Sequence, residues 1–189
     1  MTARLTSLAA IEAALWRELE SATHDKHHAW RTPVLATTDG ETADARTVIL
    51  REVDVRHRQL ITFTDDRAAK VGQLLQHPRA TMVMWSDTLG WQLRCRVLLS
   101  LEMSGLAATS RWARVKLTPA AQDYLARLPP GAPLDTPPQA NIAPAAPPLK
   151  REYFAVVCAQ VLSLDWLELH PDGHRRALFD EQGARWVQP

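Results

Sequence analysis

From Leu89 to Glu102 the chain alternates almost without a break, and no other feature limits its fold as strongly. Trp91, Leu93, Cys95, Val97, Leu99 and Leu101 share one parity, and Gln92, Arg94, Arg96, Ser100 and Glu102 share the other. Successive side chains of a strand point to opposite faces, so this pattern predicts a long strand with one buried and one polar face. Such a strand suits an antiparallel sheet. Strands of a parallel sheet are covered on both faces and read as continuous apolar runs.

Shorter segments extend the pattern. Pro33–Thr38, Ala45–Val53, Gln59–Thr64, Ala80–Ser86, Tyr153–Leu164, Trp166–His170 and Ala177–Val187 all read as strands. Turns are expected at Asp39-Gly40, Pro171-Asp172-Gly173 and Glu181-Gln182-Gly183. Leu8, Ile11, Leu15 and Leu19 recur at helical spacing and predict an amphipathic helix over 8–22. Thr64-Asp65-Asp66 offers capping oxygens to a short helix bearing Val71, Leu74 and Leu75. Two more helices are expected at 104–115 and 119–128, the second opened by Thr118-Pro119. Eight prolines in residues 129–148 predict an extended loop. The expectation is a mainly β (α+β) fold: one domain over 1–189 built as an antiparallel barrel with peripheral helices. Its N-terminal helix lies within 5–23 and its proline-rich loop within 129–150.

Composition removes several function classes. A net charge of +1 gives no field to recruit nucleic acid or an anionic membrane. Glu12, Arg17, Glu18 and Glu20 interrupt the N-terminal region, which is neither a secretory signal nor a membrane span. Cys95 and Cys158 each fall in an expected strand and read as buried thiols of a cytoplasmic protein. No GxGxxG, P-loop or GxSxG motif occurs. His24, His27 and His28, after the first helix, read as a solvated cluster, and His170 and His174 lack a third ligand, so no metal site is expected. Seven of twelve aromatics are tryptophans, which suits ring stacking or large core fillers.

What remains is a set of cations and ring-packing residues. Arg46-Thr47-Val48-Ile49-Leu50-Arg51 is a β-rich hexapeptide with an arginine at each end. Alternation puts Arg46, Val48 and Leu50 on one side, Thr47, Ile49 and Arg51 on the other. An arginine entering such a strand can hold a phosphate bidentately. Lys70, early in the helix after Asp66, could add charge at a helix N-terminus.

The order RTVILR, Phe63-Thr64, Lys70, Gln92, then Trp166 ten residues before Arg176, resembles the pyridoxamine 5'-phosphate oxidase-like family of FMN-binding split barrels. The resemblance covers roughly residues 30–102 and 152–188 and implies a six-stranded split β-barrel working as a homodimer, with flavin at the subunit interface. It implies that Arg46 and Lys70 bind the FMN phosphate. Thr47, Val48, Ile49, Leu50, Arg51, Phe63 and Thr64 would line the ribityl chain and ring, and Gln92 would bond the ring's polar edge. Trp166 and Arg176 would approach from the partner subunit. Where the family carries an arginine before the helix lysine this chain has Ala69, and Arg67 is expected to compensate. Asp172-x-His174 replaces an Arg-x-His at the family's substrate phosphate, and an aspartate there would repel it. The expectation is therefore an FMN-dependent oxidoreductase acting on another small molecule through Arg51, His174 and Arg175, with no side-chain nucleophile. A true pyridoxamine 5'-phosphate oxidase and a non-catalytic flavin- or haem-binding module are the alternatives. F420 is a possible substitute for FMN.

Overall fold

The structure, a computed structural model, describes residues 4–135, 137 and 153–189. Of the proline-rich stretch, 129–135 and 137 fall within them and carry neither helix nor strand; the rest of 129–150 lies outside the described residues. Nine strands form one sheet: β1 (Val34–Thr38), β2 (Ala43–Thr47), β3 (Glu52–Asp54), β4 (Gln59–Asp65), β5 (Arg79–Ser86), β6 (Trp91–Glu102), β7 (Phe154–Glu168), β8 (Arg175–Asp180) and β9 (Gly183–Val187). Every ladder is antiparallel. The hydrogen-bonded path runs β2-β1-β5-β6-β7-β4-β3 and does not close; β8 joins the far half of β7, and β9 follows it. The helices are α1 (Leu8–His24), α2 (Ala69–Gln76) and α3 (Gly105–Val115), with single 3-10 turns at Ala29–Arg31 and Pro119–Tyr124. The mainly antiparallel β architecture with peripheral helices is as expected; the sheet has nine strands where six were expected, seven of them on the open path and β8 and β9 beside it.

The open ends are neighbours in sequence. Between β2 and β3 the Val48 N–H donates to Pro33 O (2.9 Å) and the Leu50 N–H to Arg31 O (2.9 Å), after which the Arg51 N–H donates to Ile61 O (2.8 Å). The chain thus leaves the β1 side and joins β4 within four residues, and the expected single strand Ala45–Val53 becomes two. Alternation survives the change of partner: Val48 and Leu50 are buried while Thr47 and Ile49 are exposed.

The two strands expected over 153–170 are instead one, β7. Arg96 pairs with Ser163 but Val97 with Val161, so Leu162 is an extra residue. A bulge reverses which parity faces inward. Val157, Ala159 and Val161 point into the core before it, Leu164 and Trp166 after it. These residues join Leu35, Val48, Leu50, Leu60, Met82, Leu93 and Phe179, and the α1 stripe Ile11, Leu15 and Leu19 packs into the same cluster. A second cluster lies on the other side of β4 and β7, where α3 and the following turn bring Trp112 and Tyr124 against Phe154. Five of the seven tryptophans are buried, so most of the excess is core filling.

Three local expectations change. The helix expected at 119–128 is a 3-10 turn ending at Tyr124. Ala68 stands at the start of α2 with no side-chain cap, because Asp65 is turned inward to accept from Arg67. His28, expected as part of a solvated cluster, accepts from the Trp30 N–H and meets Glu18 at 3.0 Å. Cys95 and Cys158 are buried free thiols, and burial pushes them up to about 12 and about 11, which keeps both protonated. Among the described residues, no helix is long and apolar enough to cross a membrane and no His, Cys, Asp and Glu groups converge as a metal site.

Candidate functional site

Two cations separated by more than twenty residues of sequence come together where β2 meets α2. Arg46 sits opposite Leu35 in the β1–β2 ladder, and Lys70 is the second residue of α2. Arg46 Nη1 donates inward to Leu35 O (3.2 Å) and Thr37 Oγ1 (2.5 Å). Its Nη2 donates to Gln73 Oε1 (3.0 Å) and to the Asp44 carboxylate. Gln73 also donates to Asp44 Oδ2 (3.2 Å) and accepts from Thr37 Oγ1 (2.6 Å). Burial and then the Arg46 charge lower the Lys70 ammonium from its ordinary value; Asp65 opposes the shift. Lys70 makes no ion pair among the described residues. A half-buried ammonium beside a guanidinium is poorly compensated, and an anion with several oxygens would satisfy both groups.

Gln73, Asp44 and Thr37 were not singled out from the sequence. Gln73 lies three residues after Lys70, hence on the same helix face, and Asp44 two before Arg46, hence on the same strand face. Either spacing could have flagged them.

Arg51 sits at a second cleft, lined also by His24, Arg31, Phe63, Arg111 and Arg114. Its guanidinium lies over the Phe63 ring, 5.8 Å from the centroid. Burial raises the Tyr124 phenol, and the charge and hydrogen bonding of Arg51 oppose that shift. Glu52 holds both Arg111 (2.9 Å) and Arg114 (2.5 Å), leaving Arg51 without an ion pair among the described residues. An arginine against an aromatic plane can receive an anionic planar molecule.

Gln92 and Arg176 lie on one row of the sheet's outer face, each opposite Leu167 across a ladder, with Trp85 at the row's end. Arg176 donates to Asp165 through Nε (2.9 Å) and Nη2 (2.8 Å), and Arg94 shares that carboxylate. Together with Arg79, Arg96 and Asp180 they line an open cleft of about 500 Å³.

Several expected site residues are placed otherwise. The side chains of Val48, Leu50 and Thr64 are buried, so only their backbone could meet a ligand; Thr47, Ile49 and part of Phe63 remain presented. Trp166, expected to reach a flavin on the partner, is wholly buried between Trp91 and Trp186. The Leu162 bulge, which reverses parity, is the cause. Arg67, expected to replace the missing arginine at Ala69, grips Asp65 (3.0 and 2.7 Å), donates to the Ala126 and Arg127 carbonyls and stacks on Tyr153. It holds a turn and has no free edge for a phosphate. Arg175, expected at the substrate, donates twice to Glu168 and once to Leu5 O. His174 is exposed, and its Nδ1 accepts from the His170 N–H (3.2 Å). Neither residue lines the Arg51 cleft.

No curated protein matches the chain by sequence. Two solved structures share its fold over nearly its whole length. One is a pyridoxamine 5'-phosphate oxidase-related, FMN-binding protein from Nostoc punctiforme PCC 73102, at 24% identity, 97% of this chain, 100% of that chain and a TM-score of 0.73. The other is PhzG from Burkholderia lata 383 in complex with tetrahydrophenazine-1-carboxylic acid, at 15% identity, 100% of this chain, 99% of that chain and a TM-score of 0.72. The family model for pyridoxamine 5'-phosphate oxidase, FMN-binding domain, matches residues 13–100, the stretch holding Arg46, Lys70 and Gln92. Residues 13–100 thus carry the signature of the pyridoxamine 5'-phosphate oxidase FMN-binding domain, and the family resemblance of RTVILR, Phe63-Thr64, Lys70 and Gln92 holds.

Proposed function

We propose that this chain binds FMN as a homodimer and serves as a flavin-dependent oxidoreductase for a small molecule. The observation that carries the reading is the Lys70 ammonium, half-buried beside Arg46 and without an ion pair of its own among the described residues. A phosphate dianion fits that donor set: it supplies the missing counter-charge and enough oxygens for both groups. Gln73 supports Arg46 from the same helix face as Lys70. Thr47, Ile49 and the backbone of 48–51 lead away from the phosphate end toward Arg51 and Phe63. When bound, FMN supplies reversible hydride chemistry; the protein contributes position, charge and exclusion of water. Arg51, which lines a cleft with Phe63, is the residue assigned to substrate; His174 lies outside that cleft and would reach it only from the partner chain, and Arg175 is engaged by Glu168.

The dimer rests on the outer face of the sheet. Val34, Trp85, Leu98 and Leu162 are between 36% and 41% exposed; Leu162 lines the cleft around Arg176, and Leu98 sits opposite Arg79, another residue of that cleft. Exposed aromatic and aliphatic groups mixed with arginine are the composition of a protein interface. Gln92 and Arg176 share that face, so a second copy seated on it would bring them to the cofactor.

Lys70→Met tests the assignment. FMN affinity is expected to fall about a hundredfold while riboflavin, which lacks the phosphate, binds as before. Fluorescence titration with the two flavins makes the measurement. Equal loss for both flavins, or no loss, would remove Lys70 from a phosphate site.

A further inference from the structure

On the same reading of the Arg46 site, we infer that Asp44 competes with the cofactor phosphate for Arg46 and thereby sets how strongly this chain prefers phosphorylated flavin. Arg46 has one inward and one outward terminal nitrogen. Nη1 is committed to Leu35 O and Thr37 Oγ1 on β1, which fixes the guanidinium plane. Nη2 faces outward, and it is this nitrogen that donates to the Asp44 carboxylate and to Gln73 Oε1. A phosphate received by Arg46 and Lys70 together must take the same outward edge. Two anions cannot share it without repulsion, and the guanidinium cannot turn its other nitrogen outward without breaking two bonds to β1.

Asp44 is built to hold the edge and also to yield it. Gln73 Nε2 donates (3.2 Å) to the same Oδ2 that Arg46 meets, and that hydrogen bond, followed by the Arg46 charge, lowers the carboxyl from its ordinary value, so it stays charged wherever the protein is folded near neutrality. Yet its side chain is 49% exposed, so turning into water carries little desolvation cost. Gln73 touches both anchors of the site. Its oxygen accepts from Arg46 and Thr37, its nitrogen donates to Asp44, and it lies one turn beyond Lys70. Once the carboxylate leaves, the Gln73 amide N–H is free to donate to the incoming phosphate. Asp44 is thus a specificity determinant for the phosphate end of the cofactor, acting by subtraction.

Asp44→Asn, with Asp44→Ser as a second variant, removes the charge at an exposed position where folding should be unaffected. Purified wild type and variants, stripped of flavin, are titrated with FMN and with riboflavin by flavin fluorescence. Both variants are expected to bind FMN about tenfold more tightly than wild type, with riboflavin unchanged and the gain shrinking as salt rises. FMN binding equal to or weaker than wild type in both variants would overturn the inference, because Asp44 would then be orienting Arg46 instead of competing for it. Failure of wild type and variants alike to bind FMN would overturn the cofactor reading itself, and this inference with it.

Discussion

Trp166→Ala should cost about 3–5 kcal/mol of folding stability, measured by denaturant unfolding of flavin-free protein. Trp166 is wholly buried. Its ring meets Trp91 edge-on at 5.5 Å and Trp186 at 6.3 Å, and the Arg175 guanidinium lies 5.6 Å from its centroid. Truncation would empty the largest side chain from the junction of β6, β7 and β8, which cannot collapse without moving three paired strands. Trp166→Phe keeps much of the volume and removes an Nε1 that has no hydrogen-bond partner among the described residues, so its cost should be far smaller. Were Trp166 a flavin contact and nothing more, flavin-free Trp166→Ala would unfold at the wild-type denaturant concentration.

A second large effect is expected at Glu168, also buried. It accepts from Arg4, from Arg175 (2.8 and 3.0 Å) and from Trp91 Nε1 (3.4 Å), while Arg175 also donates to Leu5 O. This one carboxylate ties the N-terminal segment to the β7–β8 hairpin. Glu168→Gln should cost about 3 kcal/mol at neutral pH, since it leaves two guanidiniums without their counter-charge. Burial alone would raise the Glu168 carboxyl, but the hydrogen bonds from Arg175 and Arg4 outweigh it and hold the group below its ordinary value of 4.5. A folded-state value below the unfolded one stabilises above the unfolded value and is lost as pH falls through the folded one. The wild-type thermal midpoint should therefore drop steeply below about pH 4.5, and the Glu168→Gln curve should be flatter over the same range. Parallel curves would show that the pairing carries no net stability.

The parts of this fold that depend on local alternation could be read from the chain, and the parts that depend on a distant partner could not. β6 shows its two faces outright, because the extra residue of the β6–β7 ladder lies in β7 and leaves the alternation of β6 unbroken. β7 does not: the extra Leu162 shifts parity and one strand of fifteen residues reads as two, while Trp166 was expected at a partner's flavin through resemblance alone. The faces of RTVILR were legible, but its exchange of Pro33 and Arg31 for Ile61 as hydrogen-bond partners is a long-range event with no local mark. The Arg46–Lys70 pairing was legible only through family resemblance, since nothing in either segment points to the other. Arg67 and Arg175 have partners in this structure that were not foreseen from the sequence. Each has a carboxylate nearby, Asp65 two residues back and Glu168 directly across the hairpin, and a family motif does not show such a pairing.

The central claim, a homodimer carrying FMN, is tested most directly by sedimentation velocity of the purified protein. Protein absorbance and the visible flavin band are followed together, and the released chromophore is identified by mass. Flavin absorbance moving with a species of twice the chain's mass, and a released mass equal to FMN, is the expected result. A colourless protein that takes up no added FMN, or flavin that travels with single chains, would contradict it.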